Sequence, residues 1–175
     1  MPGWFDIFDW PIGVGCKNDE DGLKKAVDSI NACVVKLEAK GIQRNRIVVG
    51  GFSQGGAVAL RAVYQQQQHE QESSDEESKE SLPFAACVNL SGWLTFEETN
   101  GMNDNVPLLW GHGSYDDKVL FDQQSYGVAK LGEMGVKSVE DSSYPVGHGA
   151  HPDEMVAFAK FLDQVLFPKD DSCKE

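Results

Sequence analysis

Residues 47–60 read IVVGGFSQGGAVAL. Ile47, Val48 and Val49 form a short apolar run, of the kind found in strands buried on both faces within a parallel sheet. From Gln54 an apolar-periodic segment predicts a helix reaching to about Gln68. Between the two lies Gly51-Phe52-Ser53-Gln54-Gly55, a GxSxG pentapeptide. A serine at the apex of a sharp strand-to-helix turn forces the residues two before and two after it together, and glycines leave room for that approach. The hydroxyl of Ser53 then projects above the sheet edge at a helix N-terminus. The backbone amide of Gln54 faces the same space, where it can stabilise a developing oxyanion.

A serine needs a base, and the base an orienting acid, before it becomes a nucleophile. In hydrolases built on such a turn the order along the chain is Ser, then Asp or Glu, then His. After the strand-like run ending at Trp110 comes Gly111-His112-Gly113-Ser114-Tyr115-Asp116-Asp117-Lys118-Val119. A carboxylate in the loop after a strand is well placed to face the active edge, and the GxxDxxV spacing favours Asp116 over Asp117. Of the four histidines, His69 lies in a polar tract. His112 precedes the acid and is expected to support the loop. His148, flanked by glycines ahead of the last helix, is favoured as the base over His151, which is placed to cap that helix or face solvent.

Elsewhere strands and helices alternate. A helix capped by Asp19 and stopped near Gly41 places Leu23, Val27, Ile30, Val34 and Leu37 on one face. Strands are predicted over 84–90, 106–110 and 136–144, and a helix over 121–134. Pro152 opens a last helix that turns Met155, Phe158, Leu162 and Val165 inward. Residues 1–18, rich in aromatics, Pro and Gly, read as a loop. This alternation predicts an α/β fold, a three-layer sandwich around a mainly parallel sheet, forming one domain over 1–168. The tract QQQQHEQESSDEESKES (65–81) has no apolar residue and predicts a disordered acidic and Gln-rich insertion. Residues 169–175 form a polar tail.

The 175 residues suffice for a core without disulfides. A formal charge of −13 argues against nucleic acid and against anionic lipid headgroups. No apolar run approaches the ~20 residues of a membrane span, and Met1-Pro2-Gly3-Trp4 lacks the look of a signal peptide. The four scattered cysteines read as reduced thiols of a cytoplasmic protein, without metal-site spacing. No cofactor or metal is expected.

Taken together, these blocks resemble the acyl-protein thioesterase and carboxylesterase family of small α/β-hydrolases. The resemblance rests on Trp4-Phe5-Asp6, on Arg46 through Ala57, on Leu90-Ser91-Gly92-Trp93-Leu94, on His112-Gly113 with Asp116 and Val119, and on His148 with Glu154-Met155. It implies an α/β-hydrolase fold and hydrolysis of thioesters, such as S-palmitoyl groups on proteins, or of carboxyl and lysophospholipid esters. S-acylated proteins or small acyl esters are then the substrates, and Trp4, Phe5, Trp93, Leu94 and Phe96 line an apolar path for the acyl chain. The family's fold places a strand, an HG-containing loop and a further strand ahead of the Trp-Phe-Asp segment. The expectation is therefore of an N-terminally truncated chain, without the fold's first strands and the loop that supplies a second oxyanion donor. A non-catalytic acyl-binding protein is the alternative that this implies.

Overall fold

The computed structural model describes residues 3–65, 82–99 and 103–168. The predicted insertion lies outside the described residues except for Gln65, and so does the tail.

Helix α1 (Glu20–Glu38) starts where the Asp19 carboxylate accepts from the Gly22 amide. Leu23 and Val34 are buried on its inner face, with Val27, Ile30 and Leu37 packed alongside. A short 3₁₀ turn (Arg44–Arg46) leads into strand β1 (Val48–Phe52). The strand runs on through both glycines to the serine, longer than the Ile47–Val49 run predicts. Helix α2 (Gln54–Tyr64), β2 (Ala86–Leu90), β3 (Leu108–Gly113), α3 (Asp122–Glu133), β4 (Val139–Tyr144) and α4 (Pro152–Leu166) follow. Strand β3 extends through Gly111-His112-Gly113, beyond its predicted end at Trp110, because the parallel register with β4 continues to Gly113↔Tyr144.

The sheet is four-stranded and parallel throughout, in the order β1-β2-β3-β4. Side-chain alternation splits its two faces. Val49, Cys87, Leu108 and Trp110 turn toward a core shared with α1, α2 and α3. Ala86, Val88 and Leu109 turn toward Phe161 of α4. Helices thus cover both faces, the three layers that strand–helix alternation predicts.

The inward face of α4 needs correcting. Phe161 is its buried apolar residue, whereas Met155 is exposed. The helix meets the sheet along two adjacent stripes. Phe161 packs on β3, while Phe158, Leu162 and Leu166 border an apolar groove of about 460 Å³ beside Val48, Phe52 and Leu90. Among the described residues, β1 pairs on one side only. No helix among them is long and apolar enough to cross a membrane, and Cys16, Cys33 and Cys87 are free thiols.

Candidate active site

The ends of β1, β3 and β4 converge at one edge of the sheet. Ser53, between β1 and α2, has φ 57° and ψ −122°, a conformation an L-residue adopts only under strain. A Cβ on Gly51 would lie 2.3 Å from the carbonyl carbon of Gly55. That close approach of two backbones explains Gly51, whereas the expected clash at Gly55 is not there: a Cβ on Gly55 would meet only Trp4 Nε1, at 3.8 Å. Another close approach holds the turn from behind: a Cβ on Gly92 would lie 2.8 Å from the Ser53 carbonyl oxygen. The Ser53 amide donates to Leu90 O at 2.8 Å, tying the turn to β2. The Gln54 amide opens α2 and has no carbonyl one turn earlier in the helix to bond.

Asp116 is buried in the turn after β3. Its Oδ1 accepts from the amides of Lys118 (2.9 Å) and Val119 (3.0 Å), leaving Oδ2 directed outward from the turn. His148 lies in the loop between β4 and α4. Its Nδ1 is 2.7 Å from Asp116 Oδ2, and its Nε2 is 2.9 Å from Ser53 Oγ. A carboxylate can only accept, so Nδ1 carries the proton and Nε2 is left as an acceptor for the serine hydroxyl. Phe52 packs its ring against the imidazole, with centroids 4.8 Å apart. Asp117 is instead an exposed partner of Lys118, and His151 caps α4 by accepting from the Asp153 amide.

Several features of the site escape a reading by motif. The Gln54 side chain accepts from the Trp4 amide (3.2 Å) and donates to Phe5 O (2.8 Å), fastening the N-terminal loop across the start of α2. Gly111 and Gly113, on the α4 side of β3, make room for the histidine segment. A Cβ on Gly113 would lie 2.3 Å from Gly147 O, and one on Gly111 would lie 2.2 Å from Oε1 of Glu154. Glu154 completes a capping box with His151, accepting its amide at Oε2 (3.2 Å), and burial pushes its carboxyl above the usual range. The acid turn is stitched to the histidine loop through Tyr115 N–H and Val146 O, and to the N-terminal loop through Ile12 and Lys118.

The proposed acyl path fares differently from the polar residues. Phe5 and Trp93 are packed edge-to-face in the core, and Leu94 and Phe96 are buried in the main cluster. Aromatic residues near a catalytic motif are read as lining as readily as core, and here four of the five are core. Trp4 alone is exposed, beside the first turn of α2.

Residues 1–166 match the family described as Phospholipase/Carboxylesterase. The chain belongs to that family. It is 32% identical to an acyl-protein thioesterase 1 of Aspergillus fumigatus, over 98% of this chain and 70% of that protein. It is 33% identical to a probable carboxylesterase of Oryza sativa subsp. japonica, over 95% of this chain and 59% of that protein. The crystal structure of Arabidopsis thaliana SOBER1 superposes with a TM-score of 0.79 at 27% identity, covering 95% of this chain and 75% of that one. The fold is that of the α/β-hydrolases, and the chain spans well under the full length of these family members. The family is one of hydrolases acting on esters and thioesters.

Proposed function

We propose that Ser53, His148 and Asp116 form the catalytic triad of a serine hydrolase that cleaves acyl thioesters and esters, with S-acylated proteins as its principal substrates. The observation that carries this is the continuous relay from Ser53 Oγ through His148 to Asp116 Oδ2, at 2.9 and 2.7 Å, on a strained serine. Ser53 Oγ attacks the carbonyl carbon as its proton passes to His148 Nε2. Asp116 holds the imidazole in the required tautomer and stabilises the imidazolium. The Gln54 amide receives the oxyanion. Collapse of the tetrahedral adduct expels the thiol or alcohol, which takes the proton from His148. Water, activated by the same imidazole, then frees the carboxylic acid and regenerates Ser53.

The thioester preference draws on the fungal relatives named acyl-protein thioesterase, and on the apolar Phe52 and exposed Trp4 flanking the turn. A simple carboxylesterase is the second reading, favoured by the plant relatives of that name. A fluorophosphonate probe followed by peptide mapping tests the triad: labelling is expected at Ser53, and its absence in folded protein would overturn the reading. Turnover of an S-palmitoyl peptide against an O-ester of matched chain length separates the two substrate classes.

A further inference from the structure

His112 is the last side chain of β3 before Gly113, and it is fully buried. Its Nε2 lies 2.9 Å from Val119 O and 3.5 Å from Asp116 Oδ2, the oxygen that also meets His148. A carbonyl oxygen only accepts, so the proton is on Nε2. Its Nδ1 has no hydrogen-bond partner among the described residues. Burial pushes its basicity below the ordinary histidine value, against the hydrogen bond to Val119 O and the attraction of Asp116 and Asp122, and with the repulsion of His148. A buried imidazole with one nitrogen unpartnered is a poor choice for packing alone, since an apolar ring would fill the space without an orphaned acceptor. The feature a phenylalanine could not supply is the Nε2–H group.

That group closes a ring. His112 donates to Val119 O, while Val119 N donates to Asp116 Oδ1. We infer that His112 is a positioning residue for the catalytic acid: through its Nε2–H it fixes the Asp116–Val119 turn against the end of β3 and so aims Asp116 Oδ2 at His148. A second cation at this point would compete for the same carboxylate oxygen and repel the imidazolium formed during acyl transfer. This inference rests on the triad reading above.

The test compares His112→Gln, whose amide can reach the position of Nε2, with His112→Asn, which reaches only that of Nδ1, and with His112→Leu. Readouts are the rate of Ser53 labelling by a fluorophosphonate and the downfield proton resonance of His148 Nδ1–H. Leaving Val119 O unpaired in a buried turn is expected to slow labelling by about 10-fold or more in the Leu and Asn variants. The His148 resonance should be lost or moved upfield in both. His112→Gln should label within about 3-fold of the parent and keep the resonance, because its hydrogen bond is retained. Where His112→Leu fails to fold, the Gln and Asn pair decides alone, both placing an amide in the same cavity. Equal impairment of Gln and Asn, or full activity with an unchanged resonance in the Asn or Leu variant, would overturn the inference. If the parent itself shows no labelling at Ser53, the hydrolase reading fails, and the resonance by itself reports whether His112 orders the Asp116–His148 pair.

Discussion

Ser53 and Asp116 stand at the ends of two strands of one parallel sheet, yet they are held by different means. At the serine turn the side chain makes no capping hydrogen bond, and position is set by backbone: a positive φ, Gly51 pressed against the backbone of Gly55, and Gly92 pressed on from just beyond β2. At the acid turn the backbone is unstrained and the side chain does the holding, with Oδ1 bonded to two amides and Oδ2 directed at His148. The serine is thus placed by steric exclusion and the acid by hydrogen bonding. Exclusion tolerates loss of the side chain but no added atom. Hydrogen bonding tolerates modest changes of volume but no loss of an acceptor or a change in its charge.

The largest effect expected from this contrast is chemical. Asp116→Asn retains the shape of the acid turn but presents an amide where His148 requires a carboxylate. Turnover should fall by about 10⁴-fold with the fold intact, because the imidazole loses its tautomer and its stabilising charge. Steady-state kinetics on a p-nitrophenyl ester, with circular dichroism as control, checks this. A loss smaller than about 10-fold would mean that another carboxylate orients His148. At the serine turn, the equivalent damage comes from adding an atom. Gly51→Ala puts a Cβ 2.3 Å from a backbone carbon that no rotamer change can move. A loss of about 3 kcal/mol or more in denaturant-unfolding stability is expected, accompanied by loss of Ser53 labelling.

This contrast also explains what a linear reading of the sequence can and cannot find. The serine turn is built within five residues, so its steric logic is visible in Gly51-Phe52-Ser53-Gln54-Gly55. Asp116 and His148 are legible because chain order and loop position narrow the candidates; His148 lies 2.9 Å from Ser53 Oγ, and Asp116 lies behind it, 2.7 Å from its Nδ1. Glycines 111 and 113 carry no such signal. Their partners, Glu154 and Gly147, lie 43 and 34 residues away in the sequence, and only the packing of the histidine segment on β3 reveals the need for them. The interior is hard to read from the sequence for a related reason. Phe5, Trp93, Leu94 and Phe96 sit beside chemically suggestive motifs, but burial depends on what covers a residue, and no local pattern reports that. On α4, the spacing predicts one inward stripe through Met155, Phe158, Leu162 and Val165, whereas the helix faces β3 along one stripe and the groove beside β1 along another.

A smaller effect with the opposite sign should sharpen the steric account. Ser53→Gly removes the proposed nucleophile and also the Cβ that makes φ 57° costly. Since the side chain caps nothing, the variant should be inactive yet more stable by about 1 kcal/mol, a rise visible in the melting temperature. A decrease would show that the hydroxyl's bond to His148 outweighs the strain, and that the two turns are held more alike than their geometry suggests.

The smallest effect concerns Glu154, which underlies the histidine loop. Its carboxyl is raised above the ordinary value of 4.5 by burial, opposed by the His151 amide. The folded protein therefore binds this proton more tightly than the unfolded chain does. The resulting stabilisation is fully present below pH 4.5 and is lost as pH rises through the folded value. Glu154→Gln keeps an oxygen for the His151 amide and has no proton to lose. Relative to the parent, it should gain stability as pH increases from about 4 to 7, as read from urea midpoints at each pH. A difference that stayed constant across that range would mean that the carboxylate is solvated in the folded protein. The histidine loop would then rest on the glycine contacts at Gly111 and Gly113 rather than on a buried acid, and steric exclusion would govern both ends of the relay.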